Sequence, residues 1–368
     1  MDTELTEEQR ELIGAVRALL ERRGGSLAVR AAFDAPRGDE RLWQGLAEEI
    51  GVAAISVPEE YDGFGATSFE SHLVLEAIGE ALAPVPAFGS AAIAVPALLA
   101  TGDGEAASRI LPRLASGEQT AALAWADPTG SWNPEGIAID ATPAGAAWTL
   151  SGTAPLVIDG VGADVLLVLA KTPTGVGVFE VADAATATLQ ATPALDPTLR
   201  LASLTLDGVA ARALSVGDTT VLDRIRDTAL VAITALQVGA TARGLAMTVE
   251  YAGQRVQFGR ALGSFQALKH RMADMHAALE TARSISRAAA RALADGDPET
   301  PVLAAMAKSW CGESLDRIAA ETIQLHGGIG ITWEHDAHLV FKRAHALGQL
   351  FGQPSAQRRR LASMLDVA

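Results

Sequence analysis

Two short stretches decide the fold of this chain: Arg255-Val256-Gln257-Phe258-Gly259 and, about seventy residues later, Gln324-Leu325-His326-Gly327-Gly328-Ile329-Gly330. Each stretch follows a long helical pattern, and each combines polar side chains with glycines. An arginine can form two charge-assisted hydrogen bonds to a pyrophosphate, and glycines let the backbone approach a ligand closely. The two stretches together predict a nucleotide-binding surface at the ends of two long helices.

The residues around these stretches are helical in pattern. Apolar residues recur with helical spacing in three long segments and two shorter ones, at about 221–253, 264–295, 299–325, 335–349 and 354–366. Several long helices joined by short connections indicate a helical bundle.

The middle of the chain has a different residue pattern, which is typical of β-strands and turns. About six short β-prone runs, such as 165–169, alternate with Gly, Pro, Asp and Thr turns and predict an antiparallel barrel or sandwich. We therefore divide the chain into an N-terminal helical domain (1–117), a middle β-domain (118–217) and a C-terminal four-helix bundle (218–368). This α+β order lacks the βαβ alternation of a Rossmann fold.

Helical patterns also fill the N-terminal part. Thr6 is the predicted cap of the first helix, and further helices are predicted over 40–50, 67–83 and 91–115.

Composition excludes several classes of partner. The formal net charge of −15 argues against nucleic acid and anionic membranes, which need clustered Lys and Arg. A single cysteine, Cys311, excludes an internal disulfide and is predicted to be a small buried hydrophobe. His335 and His338 share a helical face but lack a third ligand, so we predict no metal site. The acidic N-terminus and the lack of about 18 uninterrupted apolar residues predict a soluble cytoplasmic protein.

The combination of motifs is more specific than either stretch alone. The pattern Tyr251-x3-Arg255-x-Gln257-Phe258-Gly259-x6-Gln266, followed by Gln324-x2-Gly327-Gly328-x-Gly330, resembles the C-terminal domain of the acyl-CoA dehydrogenase family. Val57-Pro58-Glu59-Glu60-Tyr61 and Leu111-Pro112 extend the resemblance over essentially the whole chain. It implies the helix–β–helix architecture above, FAD as cofactor, an acyl-CoA substrate and an acceptor like electron-transfer flavoprotein.

In that family FAD lies across a subunit contact, and members are usually homotetramers. One chain holds the flavin ring, and elements of its neighbour hold the ADP end. The resemblance gives the second role to seven residues, which we call the ADP clamp: Arg255, Gln257, Phe258, Gln266, Gln324, Gly327 and Gly328.

The flavin-ring half of the family pattern is not matched. In the middle domain the family usually has Trp and Thr where this chain has Leu156 and Ile158. The glutamate that serves the family as catalytic base is replaced by Phe351, and the alternative base position falls on Ala229. Asp227 remains as a carboxylate candidate, although it is turned about 200° around the helix from Ala229.

These replacements lead to three hypotheses. The first is a non-catalytic subunit of an α2β2 acyl-CoA dehydrogenase, similar to those of actinobacterial steroid side-chain degradation, with a homologous catalytic subunit as partner. The second is a self-sufficient homotetramer that uses Asp227 or another carboxylate. The third is a structural or CoA-binding partner without enzymatic activity. Trp132 stands where the family usually has Asp after Gly-Ser, and we have no chemical account of this replacement.

Overall fold

The computed structural model describes residues 5–145 and 147–366. Helices come first, strands follow, and helices return, as the sequence predicts. The α-helices of the described residues are α1 Glu7–Arg23, α2 Ser26–Ala31, α3 Glu40–Gly45, α4 Ser68–Glu80, α5 Val95–Thr101, α6 Gly104–Ala115, α7 Thr219–Gln254, α8 Gln266–Asp295, α9 Thr300–His326, α10 Ala337–Gln349 and α11 Pro354–Met364.

Local capping sets the bounds of the N-terminal helices. Thr6 caps α1 as predicted, because its hydroxyl accepts a hydrogen bond from the Gln9 amide at 3.2 Å. The single helix predicted over 91–115 is wrong. Gly102 adopts a left-handed backbone (φ +70°) and ends α5, and the Asp103 carboxylate then accepts a hydrogen bond from the Ala106 amide at 2.9 Å and starts α6.

The middle part forms one seven-stranded sheet that closes on itself. Its strands are β1 Ala121–Ala124, β2 Ile139–Ala144, β3 Ala147–Ile158, β4 Val165–Thr172, β5 Gly175–Val181, β6 Thr188–Ala191 and β7 Leu201–Val216. The order is β1-β3-β2-β4-β5-β7-β6, and β1–β4 and β3–β7 pairings complete the closure. The predicted barrel is therefore present, but it is mixed rather than purely antiparallel, because β1 runs parallel to β4.

The long helix α7 is the core of the C-terminal bundle. It packs against α8, α9 and α10, and α11 packs against α9. By length and composition α7 could cross a bilayer, but 89% of its apolar window is buried inside the fold, as in the core helix of a bundle. Cys311 on α9 is fully buried, which confirms its prediction as a small buried hydrophobe.

Candidate cofactor site and reaction centre

The first clamp stretch forms a tight hairpin directly after α7. Strands β8 Val256–Gln257 and β9 Arg260–Ala261 are joined by Phe258 and Gly259, whose φ angles are +55° and +76°. Two positive φ angles define a type I′ turn, which matches the twist of the strands. The turn leaves the Phe258 side chain 91% exposed, so its ring is available to a ligand or a second chain.

The second clamp stretch is open at the end of α9. Gly327 follows the helix with φ +65°, a backbone conformation that favours glycine. A Cβ atom built on Gly327 or Gly328 would meet no atom within 4 Å, so the backbone here faces open space. Gln324, on the last turn of α9, is exposed beside it.

Aromatic stacking brings the two stretches together. Tyr251, one turn before Arg255, stacks on His326 with ring centroids 4.5 Å apart, and His326 also contacts His335 at 4.4 Å. Burial lowers the pKa of His326, and its Nδ1–H donates a hydrogen bond to the Thr322 carbonyl at 2.7 Å. His326 is thus a packing residue between the clamp stretches.

All seven clamp residues are exposed: Arg255, Gln257, Phe258, Gln266, Gln324, Gly327 and Gly328. They form an open surface and not an enclosed pocket. A surface of this shape can hold one end of an extended ligand, while another chain covers the rest.

The predicted base position lies in a buried aromatic cluster. Phe351 is 2% exposed and stacks on Trp125 with ring centroids 4.1 Å apart and planes at 24°. Trp132 lies beside this pair, with its ring centroid 6.1 Å from that of Trp125 and 6.4 Å from that of Phe351, and Phe88 contacts Phe351 edge-on at 6.5 Å. We call Phe88, Trp125, Trp132 and Phe351 the aromatic cluster. Trp132, which had no role from sequence, belongs to this packing.

The loop that carries Phe351 is tightly held. Phe351 has φ +58° and is followed by Gly352 at φ +95°, so the chain turns sharply after α10. The Gln357 side-chain amide donates a hydrogen bond to the Phe351 carbonyl at 2.7 Å. The phenyl ring is therefore fixed from the backbone as well as by its aromatic neighbours.

The remaining carboxylate candidate is engaged in ion pairs. Asp227 is buried, and its oxygens accept hydrogen bonds from Arg226 at 3.1 and 3.2 Å and from Arg360 at 2.7 Å. Ala229, the alternative base position, is fully buried and apolar. With both of its oxygens facing guanidinium groups, the Asp227 carboxylate has a structural role between α7 and α11.

The residues that replace the flavin contacts are apolar and packed. Ile158 is buried, and Leu156 contacts the loop at Gly130, where a Cβ atom would lie 2.8 Å from Leu156 Cδ1. Asp127 in the same loop accepts hydrogen bonds from the Thr129 and Ser131 amides at 2.8 and 3.0 Å. Burial raises the pKa of Asp127, but these hydrogen bonds outweigh it and hold the pKa below its usual value.

His335 and His338 do not share a helical face, because α10 begins at Ala337 and His335 lies before it. His335 Nδ1 accepts a hydrogen bond from the Ala337 amide at 3.1 Å, whereas His338 packs on Trp333 with ring centroids 4.5 Å apart. Burial lowers the pKa of His338 to about 4. In the ranges that the structure describes, no group of three or more His, Cys, Asp or Glu side chains is placed to hold a metal ion.

The two halves of the expected FAD site differ in the groups that they offer. The exposed clamp has a guanidinium, an exposed phenyl ring and open glycine backbone, which are groups that can contact phosphate and adenine. At the positions where the family pattern has its flavin-ring contacts, Ile158 is buried in the hydrophobic core and Leu156 packs against that core.

Comparisons with known proteins agree with this architecture. The N-terminal domain of acyl-CoA dehydrogenases matches residues 6–118, and the C-terminal domain matches residues 228–365. The chain belongs to the acyl-CoA dehydrogenase family, flavoprotein oxidoreductases that act on CH–CH bonds and use FAD.

Relatives that match over nearly the whole chain include one curated protein and two solved structures. Acyl-CoA dehydrogenase IpdE2 of Mycolicibacterium smegmatis is 38% identical over 359 residues, which cover 96% of this chain and 98% of the relative. The crystal structure of the ChsE4–ChsE5 complex from Mycobacterium tuberculosis matches at 30% identity over all of both chains, with a TM-score of 0.92. A Tcur3481–Tcur3483 steroid acyl-CoA dehydrogenase variant matches at 32% identity over 98% of each chain, with a TM-score of 0.88. The chain is thus related to heteromeric steroid acyl-CoA dehydrogenases.

Proposed function

We propose that this chain is the non-catalytic subunit of an α2β2 FAD-dependent acyl-CoA dehydrogenase. In this proposal it supplies the ADP-binding half of each FAD site, and a homologous catalytic chain supplies the flavin-ring half and the base. The observation that carries the proposal is the contrast between an open ADP clamp and a buried aromatic cluster at Phe351.

The charge distribution supports a role in binding the cofactor's phosphates. The chain has a net charge of −15, yet residues 251–273 contain Arg255, Arg260, Lys269 and Arg271 and no Asp or Glu. Such a local excess of positive charge in an acidic protein favours an anionic ligand at this surface. Phe258 adds an exposed ring on which adenine can stack.

The packing of the aromatic cluster argues against a reaction centre in this chain. Abstraction of a proton next to a thioester needs a carboxylate within hydrogen-bonding reach of the substrate. Here Phe351 contacts two tryptophans, and the nearest carboxylate candidate on α7, Asp227, pairs with Arg226 and Arg360. The same pairing weakens the alternative of a self-sufficient homotetramer with Asp227 as base.

The partner and the substrate follow from the relatives. A clamp that binds only the ADP end needs a second chain for the flavin, and two similar structures are complexes of two different chains. One of them is a steroid acyl-CoA dehydrogenase, so we infer a steroid-type acyl-CoA thioester as substrate. FAD bound at the heteromeric contact would accept a hydride from the acyl chain, and an acceptor like electron-transfer flavoprotein would reoxidise it.

Counting flavins tests the proposal. The chain is purified alone and together with its homologous partner, and protein-bound FAD is measured by absorbance. We expect no tightly bound FAD on the chain alone, and two FAD per four chains in the complex. One tightly bound FAD per subunit of the isolated chain, reduced on addition of an acyl-CoA, would refute the half-site proposal.

Variants of the clamp locate the contribution of this chain. Arg255→Ala in this chain is expected to lower the FAD content of the complex without changing its 1:1 subunit ratio. Asp227→Asn, which removes the carboxylate's charge, is expected to leave the rate of acyl-CoA oxidation by the complex within about twofold of wild type, since a lost general base costs 10²–10⁴-fold. A loss of activity on that larger scale, in a complex whose urea unfolding and subunit ratio match wild type, would favour the self-sufficient alternative, whereas a loss that follows unfolding reports the buried ion pairs of Asp227.

A further inference from the structure

The clamp hairpin carries a second arginine with an unusual arrangement. The Arg260 guanidinium lies over the Phe265 ring, with its Cζ atom 3.8 Å from the ring centroid. Phe258 contacts the same ring edge-on at 6.3 Å, so Phe265 is the platform for both side chains. A cation–π contact at an exposed site contributes about 0.5–1 kcal/mol, so it favours this position of the guanidinium before any ligand binds.

Strand register places this guanidinium on the ligand side of the hairpin. Gln257 and Arg260 are directly paired across β8 and β9, and side chains of paired residues point to the same face. Arg255 has an extended backbone and lies two residues before Gln257, which puts it on that face too. Arg255, Gln257 and Arg260 therefore share one face of the ribbon.

The neighbouring acidic residues do not neutralise the two arginines. On α9, Glu321 pairs with Arg271 at 2.5 Å, and on α8, Asp274 lies 4.0 Å from Arg317. No carboxylate among the described residues lies within ion-pair distance of Arg255 or Arg260. Two positive charges on one face without a partner favour a ligand that carries two negative charges close together.

We propose that Arg260, held across Phe265, is a further binding residue for the pyrophosphate of FAD. The inference rests on the proposed function above and adds a residue to it. Arg255 and Arg260 approach the two phosphates from adjoining positions of the same ribbon face. Because Phe265 already restricts the Arg260 side chain, less conformational entropy is lost on binding than for a free surface arginine.

Measurements of FAD affinity test this inference. Apo-complex, prepared by removing FAD from the complex of both chains, is titrated with FAD and binding is followed by flavin fluorescence. Arg260→Ala is expected to raise the Kd about tenfold or more, as for loss of a hydrogen bond to a charged group. Arg260→Lys keeps the charge but not the planar two-point geometry. Its Kd for FAD is expected to lie between those of wild type and Arg260→Ala. Arg113→Ala, which removes an exposed arginine from α6, is the charge-matched control and is expected to bind as wild type.

The Kd values of the variants distinguish the role of Arg260 from the proposed function of the chain. A Kd for Arg260→Ala within twofold of wild type, together with a large loss for Arg255→Ala, would refute the role of Arg260 and leave the proposed function intact. If neither variant changes the Kd, this chain does not hold the ADP end and both ideas fail. Equal Kd values for Arg260→Ala and Arg113→Ala at low and at high salt would exclude a phosphate contact, because such a contact weakens as salt screens it.

Discussion

Phe258 has a left-handed backbone conformation, which lowers the stability of the chain, and its exposed ring is proposed to bind the adenine of FAD. A non-glycine residue in the left-handed region costs on the order of 1–3 kcal/mol, and asparagine tolerates that region better. We expect Phe258→Asn to stabilise the isolated chain by about 1 kcal/mol and to weaken FAD binding by the complex. Urea unfolding and FAD titration measure the two effects.

Phe258→Leu is the matched control for this prediction. Leucine keeps the backbone strain but removes the aromatic ring, so we expect it to weaken FAD binding without any gain in stability. If Phe258→Asn destabilised the chain, or if Phe258→Leu bound FAD as wild type, the ring would have a packing role and not a binding one.

Restoring a carboxylate at residue 351 should not restore a reaction centre. A Glu side chain at this position would lie among Trp125, Trp132 and Phe88, where an ionised group loses its hydration without gaining a partner. We expect Phe351→Glu to lower the melting temperature strongly and to give no reduction of flavin by acyl-CoA in this chain. Phe351→Leu, which keeps the site apolar, is the control, and we expect it to lower the melting temperature less. Acyl-CoA oxidation by isolated Phe351→Glu protein would contradict the proposed function.

At the scale of elements, the sequence predicts the long helices well and the sheet less well. The bundle helices repeat their apolar spacing over many turns, so α7, α8 and α9 could be placed within a few residues. The break between α5 and α6 depends on two residues, Gly102 and Asp103, within an otherwise helical pattern. The parallel pairing of β1 with β4 is a long-range contact between short strands, and a local pattern carries no information about it.

The end of α10 depends on a buried lysine. Lys308 is fully buried, and its Nζ donates a hydrogen bond to the Leu347 carbonyl at 2.9 Å, just before the loop of Phe351. Burial lowers the pKa of Lys308 to about 7. Between about pH 7 and pH 10 the unfolded chain keeps a proton that the folded chain has released, so the free energy of unfolding rises with pH.

Lys308→Met should remove this pH dependence. We expect the wild-type free energy of unfolding to gain up to about 1.4 kcal/mol per pH unit between about pH 7.5 and 9.5 relative to the variant. Urea unfolding at a series of pH values measures the slope, and the exposed Lys269→Met is the control. Parallel profiles for wild type and Lys308→Met would show that the amine is ionised in the folded chain throughout this range.

A buried ion pair joins the middle sheet to the C-terminal helices. Arg343 on α10 contacts the Asp196 carboxylate at 2.5 Å and also donates a hydrogen bond to the Thr198 hydroxyl, and both charged groups are almost fully buried. Loss of one partner from a buried pair leaves an uncompensated charge and costs about 3–5 kcal/mol. We expect Arg343→Met to destabilise the chain on that scale in urea unfolding.

A double variant of the buried pair and a variant of an exposed pair test whether the Arg343–Asp196 ion pair stabilises the chain. Arg343→Met with Asp196→Asn should recover part of the loss, because no buried charge remains. Arg317→Ala, which removes an exposed pair at 4.0 Å, should change stability by less than about 1 kcal/mol. A loss for Arg343→Met no larger than that of Arg317→Ala would mean that the interdomain pair contributes little.

At the scale of the whole molecule, the sequence motifs of the proposed clamp fall on exposed residues, but they do not show how the buried positions pack. Six of the seven clamp residues lie in two contiguous stretches, and Gln266 follows the first stretch by seven residues, so their pattern can be recognised locally. The aromatic cluster assembles from positions that are far apart in sequence: before α5 at Phe88, after β1 at Trp125 and Trp132, and after α10 at Phe351. The sequence indicated that Phe351 replaces the family's catalytic glutamate. Only the tertiary structure shows that Phe351 packs in an aromatic cluster.

The contrast between the exposed clamp and the buried aromatic cluster predicts where FAD slows the hydrogen exchange of backbone amides. Most residues of the hairpin 256–261 and of the turn 327–331 are exposed in the chain itself, so a cofactor held there should slow the exchange of their amides. Segments 121–126 and 350–351 are already buried by the aromatic cluster and should not respond. Hydrogen–deuterium exchange on the complex, with and without FAD, measures both regions of this chain in one experiment. FAD-dependent protection at 350–351 and none at the hairpin would place the flavin ring in this chain and contradict the half-site proposal, whereas protection confined to the hairpin and the glycine turn is expected from a chain that binds only the ADP end.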